Sequence, residues 1–269
     1  MKKFGILFFI YFLFFICNIA TPQGIFDGFM KKKDNLDAAL SFTNEMGSSF
    51  VANKKNFNFN RTTRSLSAYL AYGINDKLDI AASLPYISTG DQASLQDMQI
   101  GLKYNFFNFN LKNSSRLVFH GTYISSFPVA DYKTQDGKAI GQQAVLHSFK
   151  MISQFNFCTN YFIQAQGGYN VAISPITNSV PLSLKAGWYK DKWYADIWFD
   201  YKGAIGGANY PNTLDFRMLG NTTQKIGATG FYRINKYIGF GLNSNYILGG
   251  RNTFKGLGVG ATFVFKVEK

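Results

Sequence analysis

The sequence predicts an all-β chain: a transmembrane, antiparallel, up-and-down β-barrel of about twelve strands, with ten or fourteen as the alternative counts. Three observations lead there. The stretch Ser65-Leu66-Ser67-Ala68-Tyr69-Leu70-Ala71-Tyr72 alternates polar and apolar, and so do Leu78–Leu84 and the run carrying Met98, Ile100, Leu102, Tyr104 and Phe106 on one face. A period of two is that of extended backbone, and one polar plus one fatty face means that the two faces meet different solvents. Aromatics make up 17% of the 269 residues and charged residues only 16%, yet mean hydropathy is −0.07 and no apolar run after residue 20 reaches the roughly 18 residues of a spanning helix. Long and short connections then alternate along the chain, as they do in barrels with long outer loops and short periplasmic turns.

Taken in order, Met1-Lys2-Lys3 followed by Phe4–Ala20 has the basic and apolar regions of a signal peptide, with Ala20 or Gly24 as cut points. Removing residues 1–20 takes the net charge from +13 to +11, because Lys2 and Lys3 go, and leaves Cys158 as the one cysteine. No intrachain disulfide and no cysteine-built metal site is then possible. Residues 21–35 form either a periplasmic lead-in or a small amphipathic plug built on Ile25, Phe26, Phe29 and Met30. Residues 36–269 supply the barrel.

Its expected strands are Leu36–Met46, Arg61–Gly73, Leu78–Ile87, Leu95–Phe106, Ser115–Ser126, Val145–Phe157, Tyr161–Val171, Val180–Tyr189, Lys192–Lys202, Thr222–Tyr232, Lys236–Leu248 and Lys255–Val267. The connection Phe127–Ala144 is long enough to hide a further hairpin. Aromatics gather beside the short turns: Phe106, Phe107 and Phe109; Phe155, Phe157, Tyr161 and Phe162; Trp188, Tyr189, Trp193 and Tyr194; Phe231, Tyr232 and Tyr237. Rings with a polar handle settle at headgroup level, so these predict the inner girdle.

With the fatty face outward, the opposite parity predicts a lumen lined by Lys103, Arg116, His120, Lys150, Gln164, Lys185, Asp196, Asp200 and Lys225. If Lys190-Asp191 is a two-residue turn, Lys185 stands directly opposite Asp196 as a cross-strand salt bridge. The surplus of lumen lysines either favours anionic solutes or balances carboxylates on loops. A second basic group, Lys54, Arg61, Arg64 and Arg251, falls near the outer rim, where cations meet lipopolysaccharide phosphates or capture solute.

Other chemistries find little support. Gly256-Leu257-Gly258-Val259-Gly260-Ala261 superficially resembles a dinucleotide fingerprint but lies on the last strand with no helix after it, which that motif requires. His147 and Ser148 are neighbours on a strand and point to opposite faces, so the pair makes no nucleophile; a lipid hydrolase built from His120 or His147 with distant serines is the enzymatic alternative. No nucleic-acid motif accompanies the charge, and nothing in the pattern asks for a metal or cofactor.

The segments Ala71-Tyr72-Gly73-Ile74-Asn75-Asp76-Lys77-Leu78-Asp79-Ile80, Ser83-Leu84-Pro85-Tyr86 and Leu95-Gln96-Asp97-Met98-Gln99-Ile100-Gly101-Leu102-Lys103-Tyr104 resemble the Gram-negative outer-membrane family known as "MetA-pathway of phenol degradation". The likeness is specific over roughly residues 60–110; there the Gly90-Asp91 pair sits early and Gln96-Asp97 takes the place nearer the strand. It implies a transporter-like barrel passing small organic compounds. The richness in Phe, Asn and Lys resembles proteins of AT-rich, Bacteroidetes-type genomes. The expectation is a monomeric outer-membrane channel for passive passage of small hydrophobic or anionic solutes, partnered by membrane lipid, with an adhesive barrel that binds partners through its loops as the alternative.

Overall fold

The computed structural model describes residues 25–52, 55–135, 139–213 and 215–268. The chain forms β1 (Leu36–Ala52), β2 (Lys55–Phe57), β3 (Arg61–Asn75), β4 (Leu78–Thr89), β5 (Gln92–Leu95), β6 (Asp97–Asn110) and β7 (Arg116–Pro128). It continues with β8 (Leu146–Phe157), β9 (Tyr161–Ala172), β10 (Ser179–Lys190), β11 (Trp193–Ala204), β12 (Thr222–Arg233), β13 (Ile238–Arg251) and β14 (Thr253–Val267). Every pairing within the sheet is antiparallel, and each wall strand pairs with the next wall strand in sequence (β1 with β3 and β4 with β6 across the two short arms) until β14 pairs back onto β1 from Leu36↔Val267 to Val51↔Thr253 and shuts the ring. Twelve strands make the wall; β2 and β5 are short arms that fold back onto β1 and β4. The wall strands run 12 to 17 residues, longer than the roughly 9–11 needed to cross a tilted span, so they overhang the bilayer.

The connection 129–145 holds no spanning strand among its described residues. Gln135 instead bridges to Asp215 in the connection between β11 and β12. The step from β13 to β14, expected as a loop, is a tight corner at Asn252, whose φ is 50°, preceded by Gly249 and Gly250 at positive φ.

Leu40, Leu66, Leu70, Ile100, Leu102, Leu184, Ile197 and Phe263 all point outward and are exposed, Ile197 by 65%. On the opposite parity Asp79, Lys103, Gln154, Gln164 and Asp196 are buried. This is the inverse of a water-soluble fold, because burying apolar surface is the main favourable force in water and here that surface is turned out. Only lipid makes the arrangement stable. Near the short-turn rim Phe107 stacks on Phe109 at 5.9 Å, Phe155 on Phe157 at 5.6 Å, and Trp193 lies 4.5 Å from Tyr232.

The seam tolerates little side-chain bulk at Gly256, where a Cβ would stand 2.0 Å from the Met46 carbonyl oxygen on β1. We expect Gly256→Val to abolish the fast-migrating folded band in unheated SDS electrophoresis. Gly230→Ala, with open space around its Cβ, should leave the band unchanged.

Candidate functional site

The lumen is occupied in its short-turn half by residues of the chain's own N-terminal segment. Ile25 and Phe26 are buried against Ala71, Ala81, Ile124 and Ile152, inward side chains of four strands. Tyr69 donates its hydroxyl to the Ile25 carbonyl at 3.1 Å. Gly28 donates its N–H to Gln164 Oε1 at 2.8 Å, and its carbonyl meets His120 Nε2 at 3.0 Å. Gly28 lies tight against Gln154, where an added Cβ would fall 2.1 Å from Oε1.

Lys103 fastens the segment. Its ammonium donates to the carbonyls of Asp27 and Phe29, and lies 3.2 Å from Asp79 and 3.8 Å from the Asp27 carboxylate. Lys103 and Asp79 are both 1% exposed, so the pair depends on mutual satisfaction rather than on water. Asp79 in turn accepts from the Lys31 N–H, and the Lys31 ammonium reaches Asp37 at 2.6 Å. Burial pushes the Asp27 carboxyl up, but Lys103, Lys31 and Lys185 outweigh it and hold the group at about 2. Burial likewise opposes the charge on Lys31, and the acids Asp27 and Asp37 raise it above the ordinary lysine value.

Phe29 stands edge-on to Phe162 at 5.3 Å and to Tyr189 at 5.6 Å, with Tyr194 at 6.5 Å. These three had been expected in the lipid-facing girdle; the structure turns them inward. The parity signal was present, since Phe162 shares a face with Gln164, Tyr189 with Lys185, and Tyr194 with Asp196.

Of the expected lumen residues, Lys103, His120, Gln164 and Asp196 are buried inside. His120 also meets Asn105 Nδ2 at 3.1 Å. Lys185 pairs with Asp196 at 3.2 Å, but the geometry differs from that expected. The turn residues are Asp191 and Lys192, Lys190 opposes Trp193, and the ladder sets Lys185 opposite Trp198 and Gly187 opposite Asp196. Asp191 takes φ 53°, which a two-residue turn of this hand requires, so the register slips and the ion pair runs diagonally. Lys225 pairs with Glu45 at 3.2 Å. Lys150 and Asp200 face the lumen beyond the segment. Arg116 is exposed at the short-turn rim, where it donates to Asn108. His147 lies on the outer face against Tyr123, whose hydroxyl is 3.0 Å from Nδ1, so the two histidines sit on opposite sides of the wall.

The long-loop end is covered as well. Tyr132 donates to Asp97 at 2.7 Å, the Ala144 N–H joins the same carboxylate, and Phe216 N–H donates to Thr134. Arg61 bonds the Ala139 carbonyl at 2.6 Å and lies over the rings of Phe254 and Phe216. Arg251 holds the carbonyls of Gly206 and Gly207 and the Asn209 side chain. Of the outer-rim basic group, then, Arg61 and Arg251 tie down loops, Arg64 is exposed on the outer parity, and Lys54 lies outside the described residues. A cavity of about 220 Å³ remains under the loops, bordered by Glu45, Arg61, Phe216, Lys225 and Phe254.

On the lipid side of β8–β11 a hollow of about 580 Å³ includes Ser153, Ala165 and Gly167, between Met151, Leu182 and Leu184. There the β9–β10 ladder passes from Asn170↔Ser179 to Gly167↔Leu182 and skips Val180 and Pro181. Pro181 has no N–H to give.

A closed twelve-strand ring with an apolar exterior and a polar interior defines an outer-membrane-type β-barrel. No family model matches the chain, and no curated relative matches it in sequence. Solved structures share its fold. The COG4313 outer membrane channel from Pseudomonas putida F1 is similar at a TM-score of 0.70 and 13% identity, over 93% of this chain and 100% of that one. The NanC porin follows at 0.56 and 9% identity, over 86% and 100%, and the KdgM porin at 0.50 and 6%, over 84% and 98%.

Proposed function

We propose that this protein is a monomeric channel of a Gram-negative outer membrane for the passive passage of small solutes, narrowed by its own residues 25–35. The observation that carries the reading is the polar lumen with the N-terminal segment hydrogen-bonded into one half of it. A barrel that served only as a scaffold for adhesive loops would fill its interior with wall side chains, as eight-stranded barrels do; a twelve-strand ring leaves room for more. The basic-then-apolar residues 1–20 support export through a signal peptide, and the exposed Arg64 supports contact with lipopolysaccharide phosphates. The sequence likeness to the phenol-degradation family supports small organic compounds as the solutes and a Bacteroidetes-type source. The thinned wall at Gly167 and Pro181 favours a second route, in which an apolar solute leaves sideways into the bilayer.

Purified protein in planar lipid bilayers is expected to give discrete conductance steps. A barrel that gives none, either intact or without residues 25–35, would remove the channel reading.

A further inference from the structure

The cavity of about 220 Å³ under the long loops is bordered by three charged side chains, Glu45, Arg61 and Lys225. The ladder brings them to one place. Arg61 on β3 opposes Gly47 on β1, Gly47 opposes Gly256 on β14, Gly256 opposes Ile247 on β13, and Ile247 opposes Lys225 on β12. Glu45 stands two residues along β1 from Gly47, against Gly258. Gly256 and Gly258 put no side chain on that stretch of β14, and the Lys225 ammonium reaches over β13 and β14 to the Glu45 carboxylate at 3.2 Å. The pair is not sealed off, since Lys225 keeps 22% of its side-chain surface and Glu45 26%. Asp200 and Lys202, on β11 beyond Lys225, do not border the cavity and offset one another.

Arg61 is the cation left over. Its Nη2 donates to the Ala139 carbonyl at 2.6 Å and its Nε to Thr63 Oγ1 at 3.3 Å, while Nη1 has no hydrogen-bond partner among the described residues. No carboxylate among them lies within ion-pair distance of the guanidinium. Arg61 is only half-buried, and Nη1 is not one of the polar atoms sealed inside the wall. Its guanidinium carbon lies 5.2 Å from the centre of the Phe254 ring and 6.0 Å from that of Phe216, and both rings also border the cavity. Rings and loop bonds therefore fix the guanidinium in place with a donor to spare, which is the arrangement that suits a carboxylate. Lys225 and Glu45 cancel, so the cavity carries one positive charge in excess.

We propose that Arg61, backed by Phe216 and Phe254, is the recognition residue of a binding site for a small organic monocarboxylate in the cavity under the long loops. The inference rests on the channel reading, because it takes the ligand to be a solute on its way through the barrel. A monoanion balances the single excess charge; its carboxylate accepts from Arg61 Nη1, and its organic body lies against the two rings. A dianion would overshoot the charge, and a body without apolar surface would leave the rings unmatched. The volume of about 220 Å³ falls below the roughly 300 Å³ at which pockets for drug-sized ligands begin, so the solute is small. Passage needs a site from which the solute also leaves, so binding is weak and charge-selective.

Titration calorimetry of the full mature chain in detergent, with sodium benzoate as the probe, tests this. Saturable binding of one benzoate per barrel is expected, with none for neutral benzamide. Affinity should fall about tenfold or more in R61Q, which loses a charge-assisted hydrogen bond, and stay unchanged in K190Q/K192Q at the short-turn rim. The ion pair gives a second reading that leaves the loop bond of Arg61 alone: E45Q frees the Lys225 charge and should tighten benzoate several-fold, whereas K225Q frees the Glu45 charge and should weaken it. Absence of saturable benzoate binding to the folded protein, equal affinity in folded R61Q, or tighter binding of inorganic phosphate than of benzoate would overturn the assignment. Where R61Q lacks the fast-migrating folded band, the pair decides, and E45Q and K225Q moving the affinity in the same direction would overturn it too. A barrel that binds benzoate but never conducts refutes the channel reading and leaves the site standing; one that conducts without binding benzoate does the reverse.

Discussion

Deleting residues 25–35 is expected to raise the single-channel conductance several-fold while the barrel still folds. The segment precedes β1, contributes no wall strand, and fills the short-turn half of the lumen with Ile25, Phe26 and Phe29. A deletion that left conductance unchanged would mean that the narrowest point lies under the long loops. Acid should act in the same direction. Asp27 sits at about 2 when docked, below its ordinary 3.8, so its carboxylate favours docking above pH 3.8 and that contribution is lost as pH falls from there toward 2. Lys31, Lys103 and Lys185 face it throughout, and Asp37, Asp79 and His120 contact the same segment. An Asp27→Asn variant should therefore start at higher conductance and show a smaller acid-induced rise. Conductance recorded against pH for both proteins checks this.

The second large effect belongs to Lys103. Its replacement by Met strands the buried Asp79 carboxylate and removes the two bonds to the carbonyls of Asp27 and Phe29. Breaking one side of a buried ion pair costs about 3–5 kcal/mol. We expect Lys103→Met to lower the stability read from reversible urea unfolding in lipid vesicles by that amount, and to raise conductance by loosening the segment. In the double variant Lys103→Met/Asp79→Asn the lone charge is gone, so much of the stability should return while the conductance stays high. A double variant as unstable as the single one would show that the pair acts through packing instead.

Much of the wall was legible because a strand has only two faces. Lys103, Gln164 and Asp196 could be assigned inward by parity alone, and the structure buries all three. The turn after β10 was not, since Lys190-Asp191 and Asp191-Lys192 are equally good turn dipeptides and only the pairing of Lys190 with Trp193 decides between them. The placing of residues 25–35 is undecided in the sequence for a related reason. Ile25, Phe26, Phe29 and Met30 suit a plug or a loose lead-in, and the choice depends on partners from β3, β4 and β6 to β11. Proximity to a turn outweighed parity for Phe162, Tyr189 and Tyr194, and that sent them to the wrong side.

Asp37 has one more consequence. It stands at the start of β1, receives the Lys31 ammonium at 2.6 Å from the segment, and has Lys266 of the last strand at 3.7 Å. The last strand of the wall and the first residues of the described chain therefore converge on a single carboxylate. During biogenesis, zipping of the seam and seating of the segment share that anchor, so a barrel still waiting for its last strand also holds its lumen only loosely blocked.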